Sequence, residues 1–340
     1  MNKVVTFGEV MMKLSPGGYG RLIQSRQFNV EYSGAEANVA ASLSNFGIST
    51  SFVSAVPDNE IGDSAINALR QFGVDTSKVI RKGERLGIYF AEKGASQRPS
   101  KVIYDRGHSA ITCAQESDFD WNGVFDGASW FHFTGITPAL SDSLAVLCLS
   151  ACKAAKSKGL KISCDLNYRS KLWGREKASE IMGQLCEYVD VCIANEADAR
   201  DVFGIIAQKT DVEKGLIDAD SYADVAKQLT ERFNFQTVCI TLRESVSASD
   251  NYWSALLFEG GNIYFSRKYL IHIVDRIGGG DSFAAGLIYA RLNQYDPQYT
   301  LDFAVAASCL KQTIEGDFNL VKVREVEELL NSSGTGRIQR

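Results

Sequence analysis

The sequence has few of the residues from which metal centres and serine-hydrolase triads are built. It contains only three histidines, and none of them falls in an HxxxH or HExxH spacing. A histidine-based metal site and a Ser-His-Asp triad are therefore not expected.

The sequence also has no CxxC pair, although it contains eight cysteines. The cysteines are scattered through apolar segments, and Cys148 and Cys152 fall in a helical pattern that is typical of core packing. This use of cysteine is typical of a reducing compartment, so we expect a cytoplasmic location.

Long apolar runs and an excess of basic residues are absent as well. No run approaches the roughly 18 apolar residues of a membrane span, and the run at residues 4–7 is too short for a signal peptide. The formal net charge is -5, and no basic patch stands out. Membrane insertion and nucleic-acid binding are therefore not expected.

The most informative feature that is present is a run of glycines near the C-terminal end. Gly278, Gly279 and Gly280 follow an apolar, strand-like run at residues 270–274 and precede a helix-compatible segment at residues 282–293. Glycines at such a turn leave backbone N–H groups uncovered, and the helix that begins there adds unpaired donors and a positive dipole end. The run therefore predicts an anion hole suited to phosphate.

Asp281 directly follows these glycines, in a place built to attract negative charge. A carboxylate there repels phosphate, and a general base is the natural reason for its presence. It would accept a proton from an attacking hydroxyl while the glycine amides hold the developing phosphoryl charge. The alternative is a glycine-rich turn whose aspartate caps the helix. Both interpretations are open on this stretch alone.

Strand-like and helix-compatible segments alternate along most of the 340 residues. The alternation predicts an α/β fold, in which helices cover both faces of a mostly parallel sheet within a single domain of residues 1–340. Ligands bind such sheets beyond the carboxyl ends of the strands. Residues 86–106 interrupt the alternation and predict an antiparallel hairpin. With about residues 11–33, the hairpin predicts a small β lid inserted in the domain.

Two motifs, taken in this order, make the chain resemble the ribokinase-like (phosphofructokinase-B type) carbohydrate kinases. They are residues 34–40 (GAEANVA) and 275–281 (DRIGGGD), although Arg276 and Gly279 replace a threonine and an alanine that are frequent in the family. The resemblance covers essentially the whole chain. It implies a three-layer α/β/α sandwich, ATP and Mg²⁺ as cofactors, and Asp281 as the catalytic base.

Other glycine-rich nucleotide sites do not match the sequence. There is no GxxxxGK[ST], and a dinucleotide fingerprint would need a glycine at position 283, which is Phe283.

The resemblance also assigns residues to the nucleotide side of the site. The family's Asn-x-x-Glu, which supports magnesium and phosphate, appears here with Asp198 as its last residue, which implies an indirect, water-mediated role on a shorter arm. The family's glycine-rich continuation after the nucleotide-facing turn is absent. The expected nucleotide-binding residues are Asn195, Thr241, Arg243, Gly278 and Gly280.

Within the family, the chain is most similar to the kinases that act on 2-keto-3-deoxygluconate. The resemblance rests on Gly34, Tyr89 and residues 104–106 (YDR), 165–169 (DLNYR) and 316–319 (GDFN). An aldonic acid carries a carboxylate, for which arginine offers a fixed and permanently charged fork. The residues that the resemblance places on the substrate are Gly34, Asn38, Tyr89, Tyr104, Arg106 and Arg169.

Lys13 supports the same substrate class. Neutral-sugar kinases of the family commonly have an aspartate at the comparable place, which holds sugar hydroxyls. A lysine there argues against ribose or fructose and for an anion.

The activity that the resemblance implies is ATP-dependent phosphorylation of the 6-hydroxyl of this sugar acid. Two alternatives stay open: a kinase of the same fold for another sugar (fructokinase or ribokinase type), and a non-catalytic sugar-acid sensor. A sensor has no need of a base, so the intact Asp281 favours an enzyme. The expected partners are the sugar acid and ATP, with neither nucleic acid nor membrane, in a homo-oligomer. A monovalent cation is left open as a further cofactor.

Overall fold

The structure is a computed structural model that describes residues 2–208 and 218–331. The strands in these ranges are β1 (Lys3–Phe7), β2 (Met11–Ser15), β3 (Asn29–Ser33), β4 (Ser49–Val56), β5 (Val79–Arg81), β6 (Gly87–Glu92), β7 (Lys101–Asp105), β8 (Trp130–Thr134), β9 (Lys161–Asp165), β10 (Val191–Asn195), β11 (Thr237–Ser245), β12 (Asp250–Glu259), β13 (Asn262–Phe265) and β14 (Tyr269–His272). The α-helices are α1 (Ala35–Asn45), α2 (Glu60–Arg70), α3 (Trp121–Val124), α4 (Ile136–Ala139), α5 (Asp142–Ser157), α6 (Arg175–Cys186), α7 (Asp198–Phe203), α8 (Ala219–Phe233), α9 (Gly279–Leu292), α10 (Pro297–Lys311) and α11 (Val323–Asn331).

The larger sheet has a parallel centre and an antiparallel edge. Its order is β13-β12-β11-β10-β9-β8-β1-β4-β5, with β14 paired to β12. The strands from β5 to β11 in this order run parallel, whereas β12, β13 and β14 are antiparallel. The mostly parallel sheet predicted from the sequence is confirmed.

Helices cover both faces of this sheet because its strands are apolar on both sides. Successive side chains of a strand point to opposite faces, and the neighbours Val4 and Val5 accordingly belong to two different core clusters. Helices α5, α6 and α8 pack on the face of Val5, and α1, α9 and α10 pack on the face of Val4. The three-layer α/β/α sandwich is therefore confirmed.

A second, four-stranded sheet lies beside the sandwich, and we call it the lid sheet. Its order is β3-β2-β6-β7, and its strands come from the two stretches that interrupt the alternation. Strands β2 and β6 pair in parallel at its centre, with β3 and β7 antiparallel at the edges. On one face, Met11, Tyr89 and Ala91 are buried together and pack against Ile277 of the loop before the glycines.

Helix α9 begins at Gly279, earlier than the helix predicted from residue 282. Glycine has a low helix propensity, so the three glycines led to a predicted helix start after them, at residue 282. Gly278 takes the left-handed conformation (φ 83°) at the N-cap, and Asp281 consequently lies in the first turn of the helix. The difference matters because it places the carboxylate among unpaired helix N–H groups.

None of the helices in residues 2–208 and 218–331 combines the length and the apolar character that crossing a membrane requires.

Candidate active site

A cleft of about 360 Å³ lies between the lid sheet and the carboxyl ends of the parallel strands. It is lined by every site residue predicted from the sequence except Asp198. These lining residues are Gly34, Asn38, Tyr89, Tyr104, Arg106, Arg169, Asn195, Thr241, Arg243, Gly278, Gly279, Gly280 and Asp281.

The glycine run lines the cleft, and at Gly278 its backbone leaves no room for a side chain. Gly278 has a positive φ, and a Cβ atom there would lie 2.0 Å from the carbonyl oxygen of Asp317. A Cβ atom on Gly280 would meet no atom within 4 Å, so the space in front of this residue is open. The N–H of Gly280 is therefore accessible from the cleft, as an anion hole requires. The N–H of Gly279, also expected in the anion hole, instead donates to the carbonyl of Arg276 at 3.2 Å.

Asp281 is bound by a side chain from another helix rather than used as a cap. Asn38 Nδ2 of α1 donates to Asp281 Oδ2 at 2.7 Å, and no side chain of residues 2–208 and 218–331 caps the N-terminus of α9. Burial raises the pKa of Asp281 to about 7, and nearby Glu36 and Asp317 act in the same direction against the Asn38 hydrogen bond. The geometry thus favours the general base over the helix cap, since a base works best with a pKa near the working pH.

Asn38 is placed by a close approach between α1 and the loop after β1. Gly34 is the N-cap of α1, and a Cβ atom there would lie 1.8 Å from the carbonyl oxygen of Glu9. Glycine is therefore required for this approach. The N–H of Asn38 donates to the Gly34 carbonyl at 2.7 Å, which fixes the first turn whose side chain reaches Asp281.

Arg106 lies on the lid side of the cleft and is held by a buried carboxylate. Its Nε donates to Glu9 Oε2 at 2.9 Å, and its Nη2 pairs with the same oxygen. Its guanidinium carbon also lies 5.3 Å from the centre of the Tyr104 ring. Glu9 was not predicted as a site residue. It holds the guanidinium of Arg106 in a fixed orientation, and Nη1 has no acceptor within the described part of the chain.

Arg169 lies on the opposite side of the cleft, in the loop after β9. Its side chain is exposed, and Nη1 donates to the carbonyl of Tyr168 at 3.0 Å. Arg106, Tyr104 and Arg169 also border one outer pocket beside the cleft. Two guanidinium groups, one from each sheet, thus flank the cleft at this end.

Tyr89 forms part of the cleft wall, but its hydroxyl is already bonded to the protein. The hydroxyl donates to Asp317 and lies 2.6 Å from Ser33 Oγ. Burial and the Asp317 carboxylate raise the pKa of Tyr89. The ring, rather than the hydroxyl, is the part of Tyr89 that the cleft exposes to a ligand.

Lys13 is buried behind the wall and does not line the cleft. Its ammonium contacts Asp317, Glu31 at 2.9 Å and Asp275 at 3.5 Å. Although burial lowers the pKa of Lys13, the carboxylates of Asp317, Asp275 and Glu31 raise it above its usual value. Lys13 therefore does not contact a ligand in the cleft. It favours binding of an anion there by neutralising the buried carboxylates behind it.

Two further arginines line the cleft on the side predicted to bind the nucleotide. Arg243 Nη2 donates to Glu196 Oε1 at 3.0 Å, and Arg276 Nη2 donates to the carbonyl of Ala248 at 3.0 Å. The buried Nε of Arg276 has no acceptor among the described residues. Burial and the nearby Arg243 lower the pKa of Arg276. Because both guanidinium groups line the cleft, the pair is suited to binding a polyphosphate. In the sequence, Arg276 stands out only as a departure from the family's motif.

Asp198 lies behind the cleft and holds the loops that line it. Its carboxylate accepts the N–H of Asn195 at 2.9 Å and that of Tyr168 at 3.1 Å. Asn195 Oδ1 in turn accepts the N–H of Ala197 at 2.8 Å. Burial raises the pKa of Asp198 to about 6. Its predicted role near magnesium stays a prediction, and the geometry limits that role to one through water or through the loops.

The chain belongs to the pfkB family of carbohydrate kinases, because the sequence model of this family matches residues 1–320. The kinase class that the sequence predicted is thereby confirmed. Among solved structures, the chain is similar to 2-dehydro-3-deoxygluconokinase from Thermotoga maritima, with 52% identity and a TM-score of 0.94. That comparison covers 98% of this chain and 100% of the other.

Two curated relatives carry related names. The chain is 35% identical over 335 residues to 2-dehydro-3-deoxygalactonokinase from Haloferax volcanii, covering 98% of each protein. It is 30% identical over 337 residues to 2-dehydro-3-deoxygluconokinase from Thermoproteus tenax, covering 98% of this chain and 95% of the relative. The prefixes 2-dehydro and 2-keto denote the same group, so all three names describe kinases of 2-keto-3-deoxy sugar acids.

Proposed function

We propose that this carbohydrate kinase transfers the terminal phosphoryl group of ATP to the 6-hydroxyl of 2-keto-3-deoxygluconate. The observation that carries the proposal is the arrangement of the cleft. A carboxyl group with a pKa near 7 lies beside the glycine anion hole, and two arginines flank the same cleft. The names of the relatives point to the same substrate class.

Asp281 is the proposed catalytic base. It lies at the start of α9 and directly follows the glycine amides, so a hydroxyl bound there is within reach of both groups. The carboxylate accepts the hydroxyl proton, and the oxygen becomes the nucleophile. Asn38 keeps the carboxylate oriented through its hydrogen bond.

The N–H groups of Gly278 and Gly280 stabilise the charge on the transferring phosphoryl group, whereas that of Gly279 is bonded to the carbonyl of Arg276. Arg243 and Arg276 bind the phosphates that precede the transferring group. Mg²⁺ would supply further neutralisation between these phosphates. Among the described residues, no group of three or more His, Cys, Asp or Glu side chains could hold a metal by itself. This fits a magnesium ion bound mainly through nucleotide phosphates and water.

Arg106 and Arg169 bind the carboxylate of the sugar acid, and Tyr89, Tyr104, Gly34 and Asn38 enclose its carbon chain. This assignment places the acid end at the arginine side of the cleft and the 6-hydroxyl at Asp281. The charged end is then read by paired N–H donors. We propose that the lid sheet closes over the sugar and excludes water, which limits hydrolysis of ATP.

The experiment that tests this function measures ADP release with a panel of acceptors. The panel contains 2-keto-3-deoxygluconate, its galactonate epimer, gluconate, fructose and ribose at equal concentrations. The 2-keto-3-deoxy acids should be preferred in kcat/KM, and the product should carry phosphate on C6 by phosphorus–carbon coupling in NMR. A preference for fructose or ribose would favour the neutral-sugar alternative, and binding of the acid without ADP release would favour the sensor.

The pH dependence of the reaction should report the base. Burial raises the pKa of Asp281 to about 7, and a base acts in its deprotonated form. We therefore expect kcat/KM to be constant above this pH and to fall by about tenfold per pH unit well below it. The measurement is kcat/KM from pH 5 to 9 with the buffer ion held constant. An acidic limb with its midpoint near pH 4 would contradict a perturbed base.

Closure of the lid should be visible by hydrogen exchange. Strand β7 is an edge strand whose residues are mostly exposed, so its amides are expected to exchange readily without ligand. Exchange in residues 86–106 should slow when the sugar acid is bound. Exchange in α5, which lies away from the cleft, serves as the internal control. Unchanged exchange in residues 86–106, with the acid bound at saturation, would count against a closing lid.

A further inference from the structure

A buried lysine lies beneath the anion hole and has no part in the mechanism above. Lys311, at the end of α10, has 0% of its surface exposed. Its ammonium donates to the backbone carbonyls of Asp275 (3.1 Å) and Ile277, in the loop that leads into the glycines. In the described part of the chain, these backbone oxygens rather than carboxylates are its hydrogen-bond acceptors. Burying an ammonium group costs free energy. We therefore ask what this buried lysine contributes to the site.

The contact between Lys311 and the carbonyl of Ile277 also fixes the direction of the Gly278 N–H, because the two groups belong to one peptide unit. In a trans peptide, the C=O and N–H bonds point in opposite directions, and the described residues contain no cis peptide. Because the carbonyl of Ile277 points at Lys311, the N–H of Gly278 points away from α10. This N–H has no acceptor among the described residues, and Gly278 lines the cleft. Lys311 therefore fixes and polarises the first donor of the anion hole.

Two residues near Lys311, Ser308 in α10 and Gln312 directly after the helix, hold the adjoining parts of the loop. Ser308 Oγ donates to the carbonyl of Gly279 at 2.7 Å. The carbonyl of Gln312 accepts the N–H groups of Val274 (2.9 Å) and Asp275 (3.2 Å). Ser308 is three residues before Lys311 and therefore lies on the same side of α10. The end of α10 thus contacts the loop on both sides of Lys311, which contributes the positive charge.

Converging backbone carbonyls are also the ligands that a monovalent cation such as K⁺ takes. At this point the ammonium group already occupies the space between the carbonyls of Asp275 and Ile277. Lys311 Cε lies 3.3 Å from the position of a Cβ atom on Gly278, so the side chain fills the gap under the loop. The residues present do not fit a bound monovalent cation here.

The surroundings of Lys311 contain charges of both signs. Burial lowers the pKa of Lys311, and Lys13 acts in the same direction. The carboxylates of Asp275 and Asp317 oppose this shift and favour the charged form. The carbonyl dipoles that accept the ammonium protons also favour a positive charge at this point.

We propose that Lys311 is a positioning residue whose ammonium group takes the place of a monovalent cation beneath the anion hole. Turnover is accordingly independent of K⁺ and other monovalent cations. The proposal rests on the kinase activity argued above, and it concerns how the anion hole is held rather than which sugar is used.

The first test uses the unaltered protein. Turnover is measured in buffers of equal ionic strength that contain K⁺, Na⁺ or tetramethylammonium, with ADP quantified by ion-exchange chromatography so that no coupling enzyme responds to the cation. We expect kcat to differ by less than about twofold among the three salts. Activity that appears or rises severalfold only with K⁺ overturns the proposal. Absence of ADP release in every salt is a different result and counts against the kinase activity itself.

The second test removes the charge. Lys311→Met should lower kcat by about tenfold to a hundredfold, while the Kd of the sugar acid changes little. The loss is smaller than the roughly 100- to 1,000-fold for removing an anion-hole donor itself, because the N–H of Gly278 remains. K⁺ or NH₄⁺ should restore part of the turnover by entering the vacated space, and the bulkier tetramethylammonium should not. Lys322→Met, which removes an exposed lysine beyond α10, is the matched control and should behave as wild type.

A third variant separates charge from simple support of the loop. Ser308→Ala removes a neutral hydrogen bond to the same loop, so any loss of kcat should be smaller and should not respond to K⁺. A folded Lys311→Met protein with unchanged kcat, or with lost turnover that neither K⁺ nor NH₄⁺ restores, overturns the proposal. If Lys311→Met does not fold, the cation dependence of the wild-type protein decides.

Discussion

Replacing Asp281 with asparagine is expected to lower kcat by about 100-fold or more, as for the loss of a general base. An asparagine at this position can still accept the hydrogen bond from Asn38, so the local geometry should persist. The Kd values of the sugar acid and ATP should therefore remain within a few-fold of wild type. Single-turnover kinetics and calorimetry measure the two effects separately.

Asp142→Asn is the matched control for this substitution. Asp142 also lies in the first turn of a helix, α5, but is exposed and does not line the cleft. Its replacement should leave kcat unchanged. Near-wild-type turnover in Asp281→Asn would contradict the assignment of Asp281 as the catalytic base. It would favour the alternative, a structural role at the N-terminus of α9.

The same substitution should stabilise the folded protein at alkaline pH. The pKa of Asp281 rises from 3.8 to about 7 on folding because the carboxyl group is buried. The folded state therefore binds this proton more tightly than the unfolded chain, and stability from this group is lost as the pH rises through that interval. Asparagine does not titrate, so the variant's gain in Tm should be largest at pH 8 and should shrink toward pH 4. A lower Tm at pH 8 would contradict the raised pKa.

The second large effect concerns specificity for the acid. Arg169→Ala is expected to lower kcat/KM for 2-keto-3-deoxygluconate by roughly 10- to 100-fold, because the carboxylate loses a charge-assisted hydrogen bond worth about 1.5–3 kcal/mol. Arg106→Ala should act similarly. Any activity on fructose should fall much less, since fructose has no carboxylate. The decisive quantity is the ratio of kcat/KM for the acid to that for fructose.

The two arginines differ in how cleanly they test this idea. Arg169 is exposed and donates to a backbone carbonyl. Its charge also opposes the rise in pKa that burial causes at Asp165, Asp198 and Asp281. The pH profile of the Arg169→Ala variant must therefore be measured alongside. Removal of Arg106 leaves the buried carboxylate of Glu9 without its guanidinium, so the thermal stability of this variant must be measured alongside. Arg175→Ala removes an arginine outside the main cleft and is the matched control. An unchanged acid-to-fructose ratio in both variants would mean that neither arginine reads the carboxylate.

The parts of the site that the sequence predicted depend on local chemistry. Three adjacent glycines before a helix indicate an anion hole because neighbouring residues alone create it. The strand–helix alternation indicates the parallel sheet, and the order of the elements brings Asn38 and Asp281 to the same edge. The substrate- and nucleotide-binding residues were implied by the resemblance to the carbohydrate kinases, and all of them line the cleft.

The buried supports of the site could not be predicted because their partners are distant in the chain. Lys13 and Asp317 lie 304 positions apart, and nothing near either residue indicates the other. A lysine in a sequence is usually a solvent-exposed charge, so nothing singles out Lys311, and Lys13 is interpreted as part of the substrate side rather than as a buried support. Glu36 was noticed as part of a motif, yet its hydrogen bonds to Thr134 and Thr137 depend on how α1 packs against β8. Such contacts belong to the packing of elements and not to the pattern within one element.

The buried contacts of Asp317 also determine how the lid sheet can travel. The central strands β2 and β6 are both fastened to this residue, through Lys13 and through the hydroxyl of Tyr89. The edge strand β7, which carries Tyr104 and leads into Arg106, has no such anchor at Asp317. We therefore propose that closure of the lid sheet bends β7 toward the cleft while the central strands β2 and β6 keep their positions. Arg106 itself is held by Glu9 in the loop after β1, so the fold sets its distance from Asp281. We propose that this distance limits the length of the substrate, so that an acid several carbons shorter could not span it.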